Sequence, residues 1–368
     1  MTLVWVFFVA GLVLLVLGAE ALVRGASRLA SSLGVPPLVV GLTVVAYGTS
    51  TPELAVSVQA AFAGQADISL GNVVGSNIFN VLFILGLSAM IAPLVVSRKL
   101  VQIDVPLMVG VSALMLVMAL DGRISRLDGA ILAALVFIYT AFLVRQARTE
   151  RTASREAAAA EGGNAVPAPG PTARMWAVNL AYIAAGLGLL VQGSGWFVES
   201  SMAIARMMGV SELVIGLTIV AAGTSMPEVA TSIIATVRGE RDIAVGNVVG
   251  SNIYNILAVL GFAALLSPGG VGVAPAALDF DIPVMMAVAV ACLPIFFTGH
   301  LIARWEGWLF FGYYVAYTLF LTLASQRHDA LPAFSLVMEV FVIPLTVITL
   351  IVLAVRARRQ QRDRLPNP

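Results

Sequence analysis

The sequence predicts an all-α polytopic membrane protein, built as two inverted five-helix repeats (ten spans) with an eleventh span at its C-terminal end. Three observations predict it: a shortage of charge, a series of apolar stretches of spanning length, and a long internal repeat without gaps. Of 368 residues, 60% are hydrophobic and only 11% are charged, against about 25% charged in soluble domains. The mean hydropathy of +0.97 agrees. So few charges cannot cover a water-exposed surface, whereas a bilayer makes no such demand.

A helix needs roughly 20 apolar residues to cross the hydrocarbon core. On that measure spans fall near 2–23, 35–63, 72–92, 103–120 and 128–144, then near 176–198, 210–237, 247–267, 279–298 and 305–324. The first has no basic leader and is long enough to cross, so it reads as a retained helix and not a cleaved signal. The spans group into a first five-helix unit over 1–145 and a second over 176–325. Residues 146–175 are rich in Ala, Gly, Pro and charge. They have little to bury and read as a flexible cytoplasmic linker. An extra apolar stretch from about 334 to 355 gives a further helix over 331–356, and a basic tail follows over 357–368.

The repeat is the strongest observation. Residues 41–86 and 216–261 align at a constant offset of 175, with 28 of 46 positions identical. Both copies contain G-T-S-x-P-E and G-N-V-V-G-S-N-I-x-N. Fainter echoes follow: Asp104-x-Pro106 recurs as Asp281-x-Pro283, and Asp128-Gly129 as Glu306-Gly307. A unit with five spans must leave the membrane on the side opposite its entry, so the second copy lies upside down. Inverted repeats of this kind characterise secondary transporters, whose sites lie near the midplane where the copies meet. With the N-terminus outside, 17 of the 21 Lys and Arg residues fall in inner segments, as the positive-inside rule requires.

Two acids, Glu53 and Glu228, stand in the middle of apolar spans. A carboxylate at bilayer centre costs roughly 2.5–3.5 kcal/mol on insertion scales. Each follows a proline that offers no N–H and displaces the carbonyl four residues earlier, Gly48 for Pro52 and Gly223 for Pro227. The carbonyls of Thr49 and Thr224 are disturbed with them. Thr49 shares a helix face with Glu53, and Thr224 with Glu228. Ser76 and Asn80 share a face of the following span, as do Ser251 and Asn255. Gly71, Gly75, Gly246 and Gly250 suit close helix approach. Calcium takes six to eight oxygen ligands in flexible geometry. Two glutamates, freed carbonyls, and Ser and Asn side chains fit that description, and the absence of soft ligands disfavours copper or zinc.

Other polar residues read as structural. Glu20 and Arg24 form an i,i+4 pair. Asp67 and Asp242 read as caps or mouth charges. Asp104 and Asp281 read as helix initiators ahead of their prolines. Glu339 reads as interfacial, and the single cysteine, Cys292, as a core residue. His300 and His328 are too far apart in sequence and too polar in setting to suggest a histidine metal site.

The paired GTSxPE and GNVVGSNIxN strings resemble the alpha-repeats of the sodium/calcium exchanger family, within the cation/calcium exchanger superfamily, in its short prokaryotic form. The resemblance covers about residues 1–325. It implies that Glu53 and Glu228 hold calcium with the carbonyls of Thr49 and Thr224. It also implies that sodium shares these acids and uses Ser50, Ser225, Ser76, Ser251, Asn80 and Asn255. Asn72 and Asn247 would open the companion helices and stabilise the unwound segments. Some relatives, notably potassium-dependent ones, carry aspartate where this chain has Asn80 or Asn255, so two amides imply no potassium requirement. The large regulatory loop of animal exchangers is missing, and the eleventh span is an addition.

The resemblance therefore implies a multi-pass calcium-for-sodium antiporter of the cell membrane, and the Lys and Arg distribution places its N-terminus outside and its C-terminus in the cytoplasm. Its substrates would be calcium and sodium, with no cofactor and no nucleic acid or obligatory protein partner. The competing readings are a proton-coupled calcium antiporter, a sodium/proton antiporter and, from another class, a cation channel. The one lysine, Lys99, follows no glycine-rich loop, which excludes a P-loop nucleotide site in this chain. No nucleophile–base pair points to an enzyme.

Overall fold

In the bilayer every backbone N–H and C=O must be satisfied within protein, and helices do this within a single segment. A computed structural model describes residues 2–33, 35–160, 172–208, 221–297 and 299–363, and it is helical almost throughout. The first unit comprises α1 (Thr2–Leu33), α2 (Pro37–Thr49), α3 (Thr51–Phe62), α4 (Ala66–Ile91), α5 (Leu100–Ala119) and α6 (Arg126–Ala160). The second comprises α7 (Ala173–Met207), α8 (Ala221–Gly223), α9 (Met226–Val237), α10 (Arg241–Leu266), α11 (Ala277–Phe297) and α12 (Arg304–Ser325). A last helix, α13, covers Leu331–Val352 and continues to Asp363. Among the described residues nine helices are long and apolar enough to cross a membrane, and the bent pair α2–α3 makes a tenth. The span expected over 210–237 is described only from residue 221.

Several expected boundaries shift. The helices expected to start near 72 and 247 start at Ala66 and Arg241. The expected linker is helical as far as Ala160 and again from Ala173. Ala, Glu and Arg are strong helix formers, so α6 continues beyond its apolar stretch. Asp104 and Asp281 do not initiate helices. They end wider π-helical turns, Leu100–Asp104 and Ala277–Asp281, that run on into the helix. Those turns bring Val105 N–H to the Leu100 carbonyl and Ile282 N–H to that of Ala277. This wider ladder accommodates Pro106 and Pro283, which have no proton to contribute. Asp104 is fully buried and lies against Tyr139, while Asp281 accepts from the Tyr317 hydroxyl at 2.8 Å.

The two units meet along matched surfaces. Gly11 and Gly18 of α1 face Gly193 and Gly186 of α7, so closely that a Cβ on Gly18 would stand 2.8 Å from the Leu190 nitrogen. Small residues permit this backbone-to-backbone packing, which drives helix association where lipid removes the hydrophobic force. Gly129 of α6 packs equally tightly on α10, and Gly307 of α12 on α4. Asp128 and Glu306, one residue earlier, close the starts of those helices: Asp128 accepts from the Ser125 N–H at 2.8 Å and Glu306 from the Ala303 N–H at 2.7 Å. This explains why Asp/Glu-Gly recurs in both copies.

Among the described residues four two-residue strands stitch the units together. β1 (Leu94–Val95) pairs antiparallel with β4 (Leu301–Ile302), and β2 (Arg123–Ile124) with β3 (Val271–Gly272). Each bridge joins a loop of one unit to a loop of the other, and an inverted arrangement puts exactly those loops on common sides. Glu20 forms the expected pair with Arg24 and a second one with Arg238 of the other unit. Cys292 is buried, as expected. The helix α13 rests on α11 and α12, where the Tyr313 hydroxyl donates to Thr346 Oγ1 at 2.7 Å. At the centre of the molecule stand α4 and α10, the helices that carry the GSN strings.

Candidate functional site

Each copy breaks its first motif helix at the same place. The ladder of α2 stops at Thr49, Ser50 adopts φ −82°, ψ 9°, and α3 resumes at Thr51 after a 44° bend. In the second copy α8 ends at Gly223, Ser225 adopts φ −86°, ψ 9°, and α9 resumes at Met226. Pro52 and Pro227 lie in the first turn of the resumed helices, where a missing N–H is harmless. The Gly223 carbonyl, which Pro227 cannot serve, accepts from Ser194 Oγ at 2.8 Å. Thr49 and Thr224 therefore stand at the breaks, as the sequence indicates.

The glutamates just past the breaks are both only 1% exposed. Each is held by the serine of the other copy. Ser50 Oγ donates to Glu228 Oε1 at 2.9 Å, and Ser225 Oγ donates to Glu53 Oε1 at 2.9 Å. Ser76 Oγ lies 3.1 Å from Ser225 Oγ, which joins the second motif helix to the first. Among the described residues no lysine or arginine forms an ion pair with either glutamate. A buried charge needs a countercharge, and among the described residues each glutamate has a serine hydroxyl and no ion-pair partner.

Asn72 and Asn247 do not open their helices, as the resemblance implied; they lie within the first half of α4 and α10. The asparagines still brace the breaks. Asn72 Nδ2 donates to the Glu53 carbonyl at 3.2 Å and to Ser57 Oγ at 2.9 Å, while its Oδ1 accepts from Thr224 Oγ1 at 3.1 Å. Asn247 Nδ2 donates to Ser232 Oγ at 3.0 Å, and Thr49 Oγ1 lies 3.2 Å from Asn247 Oδ1 and 3.1 Å from the Val45 carbonyl. Each break is thus tied to the companion helix of the opposite copy.

One turn beyond Ser76 and Ser251, Asn80 and Asn255 each begin a π-helical turn, Asn80–Leu85 and Asn255–Leu260. Such turns concentrate at functional sites. The amide of Asn80 donates to Asn252 Oδ1 at 3.0 Å and that of Asn255 to Asn77 Oδ1 at 3.1 Å. Glu53 Oε2, Glu228 Oε2, Asn80 Oδ1, Asn255 Oδ1 and Ser251 Oγ are all buried and have no hydrogen-bond partner among the described residues. Buried oxygens rarely go without partners. Carboxylate, amide and hydroxyl oxygens of this kind are donors suited to a hard cation. No group of three or more His, Cys, Asp or Glu occurs among the described residues, so neutral oxygens would do much of the coordination.

The sequence missed Asn77, Asn252, Ser57 and Ser232. Ser57 and Ser232 stand at the repeat offset within the repeated segments 41–86 and 216–261, and the asparagines close the G-S-N triplets. Spacing by four picked out Ser76 with Asn80 and passed over the residues between.

Two inverted units with broken helices and buried carboxylates at their junction define a secondary membrane transporter. The comparisons narrow the class. The family model for sodium/calcium exchanger protein matches residues 3–145 and 178–323. The chain is 38% identical to the inner membrane protein YrbG of Escherichia coli over 294 residues, 79% of this chain and 87% of that one. It is 33% identical to the sodium/calcium exchanger MaX1 of Methanosarcina acetivorans over 347 residues, 87% and 99% of the two chains. Among solved structures, the sodium-calcium exchanger NCX_Mj superposes with a TM-score of 0.72 at 30% identity, covering 89% of this chain and all of that one. The chain belongs to the sodium/calcium exchanger protein family and is a multi-pass cation/calcium antiporter, not an enzyme.

Proposed function

We propose that this protein exchanges calcium for sodium by alternating access, with both ions taking turns at the junction of the breaks. Calcium lies between Glu53 and Glu228, helped by the carbonyls of Thr49 and Thr224. Sodium shares the acids and draws on Ser50, Ser225, Ser76, Ser251, Asn80 and Asn255, while Asn72 and Asn247 brace the site without needing to touch an ion. The carrying observation is that each glutamate has one oxygen held by the other copy's serine and the other buried without a hydrogen-bond partner among the described residues. Two carboxylates balance one calcium, so the loaded core is near neutral. Calcium and sodium compete because the same oxygens cannot wrap both at once. The distribution of Arg and Lys supports an N-terminus outside and a C-terminus in the cytoplasm of the cell membrane.

Calcium uptake into proteoliposomes separates the coupling ions. An outward sodium gradient should drive uptake, and uptake should respond to membrane potential, because three sodium ions against one calcium, the ratio usual in the family, move net charge. Potassium should be dispensable. Uptake that follows an imposed pH gradient without sodium would replace sodium coupling by proton coupling and leave the fold standing. Flux without counterflow or saturation would mark a channel.

A further inference from the structure

We propose that Asn77 and Asn252 are positioning residues that turn the amide oxygens of Asn80 and Asn255 toward the transported cation. This rests on the reading of Asn80 and Asn255 as ion ligands.

Asn77 and Asn252 are buried to within 2% and 3% of full enclosure, at the crossing of α4 and α10. They hold each other. Asn77 Nδ2 donates to the Asn252 carbonyl at 3.3 Å, and Asn252 Nδ2 to the Asn77 carbonyl at 3.4 Å. Each amino group also meets a thioether from a neighbouring helix at 3.6 Å: Met285 of α11 for Asn77, and Met108 of α5 for Asn252. Backbone and sulfur are both acceptors, so the amino end of each amide has only one place to point. The oxygen end is fixed by exclusion and points at the other copy's ion-site asparagine.

An asparagine amide is ambivalent. Its oxygen attracts a cation, while its NH2 carries partial positive charge and repels one. Asn80 and Asn255 could present either end. Asn252 Oδ1 takes the amino group of Asn80 at 3.0 Å, and Asn77 Oδ1 takes that of Asn255 at 3.1 Å. What remains on Asn80 and Asn255 is an oxygen, buried and without a partner among the described residues. Asn80 lies one turn from Ser76, on the same face, and Ser76 touches Ser225, which donates to Glu53. The freed oxygen of Asn80 thus lies on the α4 face that meets the serine holding Glu53, and Asn255 has the matching position in α10, one turn from Ser251. Because the clasp runs between copies, each copy sets the ligand of the other.

The test is a double-mutant cycle in proteoliposomes, reading the sodium and calcium concentrations for half-maximal exchange. Asn77→Ala removes the acceptor for Asn255 and should raise half-saturating sodium about fivefold, the worth of one hydrogen bond. In an Asn255→Ala background the same change should add nothing. Asn77→Asp keeps an acceptor and charges it, so it should move half-saturating sodium the other way, downward. A purely structural role would lower turnover in both variants and leave ion dependence alone. If Asn255→Ala shifts sodium dependence and Asn77→Ala adds its own independent shift, positioning is wrong and the ligand reading survives. If Asn255→Ala shifts nothing, the ligand reading fails and takes the proposal with it. If Asn77→Ala yields no monodisperse protein, Asn77→Asp decides alone: unchanged or higher half-saturating sodium overturns the proposal.

Discussion

The Ser50 hydroxyl donates to Oε1 of Glu228 at 2.9 Å, across the boundary between the two repeats. Ser225 returns the same bond to Glu53 at the same distance. Both serines are fully buried. Each carboxylate is therefore oriented by the copy to which it does not belong, and one oxygen is committed before any ion arrives. A hydrogen bond to a charged group contributes about 1.5 kcal/mol or more, roughly tenfold in an equilibrium constant. Ser50→Ala and Ser225→Ala should each raise the calcium concentration for half-maximal exchange about tenfold. Isotope uptake measures it, and an unchanged half-saturation in both variants would show that these bonds do not shape the site.

Much of this site is legible in the sequence, because its elements are doubled. A membrane glutamate after proline is unusual once, and its recurrence at a fixed offset left Glu53 and Glu228 as the obvious pair. The breaks at Ser50 and Ser225 follow from proline chemistry alone. Helix starts were less legible. Hydropathy discounted Asp67, Arg241 and Asp242, which sit in the first turns of α4 and α10, and so it placed Asn72 and Asn247 at helix ends. The extension of α6 to Ala160 is invisible to hydropathy because it leaves the apolar stretch. Asp104 looked like an initiator because π-helical turns have no simple residue signature. The clasp of Asn77 and Asn252 depends on which helices cross, and no periodicity within one helix reports that.

Ser76 and Ser251 supply neutral oxygen, and Ser251 Oγ has no partner among the described residues. Sodium, with one charge, relies less on carboxylates and more on neutral groups than calcium does. Ser76→Ala and Ser251→Ala should weaken the sodium dependence of exchange more than calcium binding. Parallel titrations of the two ions on purified variants check this, and a larger loss for calcium would reverse the assignment.

Close packing of the units predicts a sharp contrast between two glycines. A Cβ on Gly129 would stand 2.4 Å from the Leu265 nitrogen, whereas one on Gly110 would meet nothing within 4 Å. Gly129→Ala should destabilise the protein by about 1–3 kcal/mol through overpacking. Gly110→Ala should be neutral or slightly stabilising, since alanine favours the helix. Thermal unfolding of the detergent-solubilised protein, followed by loss of the monodisperse peak, compares them. Equal midpoints for the two variants would contradict the tight α6–α10 contact.

The central claim is that Glu53 and Glu228 together carry the calcium. Replacing either with glutamine keeps the shape and removes one charge, and in a buried site of low dielectric one carboxylate is too little for a divalent ion. The decisive measurement is sodium-driven calcium uptake by proteoliposomes containing inserted, monodisperse Glu53→Gln or Glu228→Gln protein. Uptake should fall to the level of empty liposomes for both variants, whereas calcium uptake at the wild-type rate by either one would contradict the account.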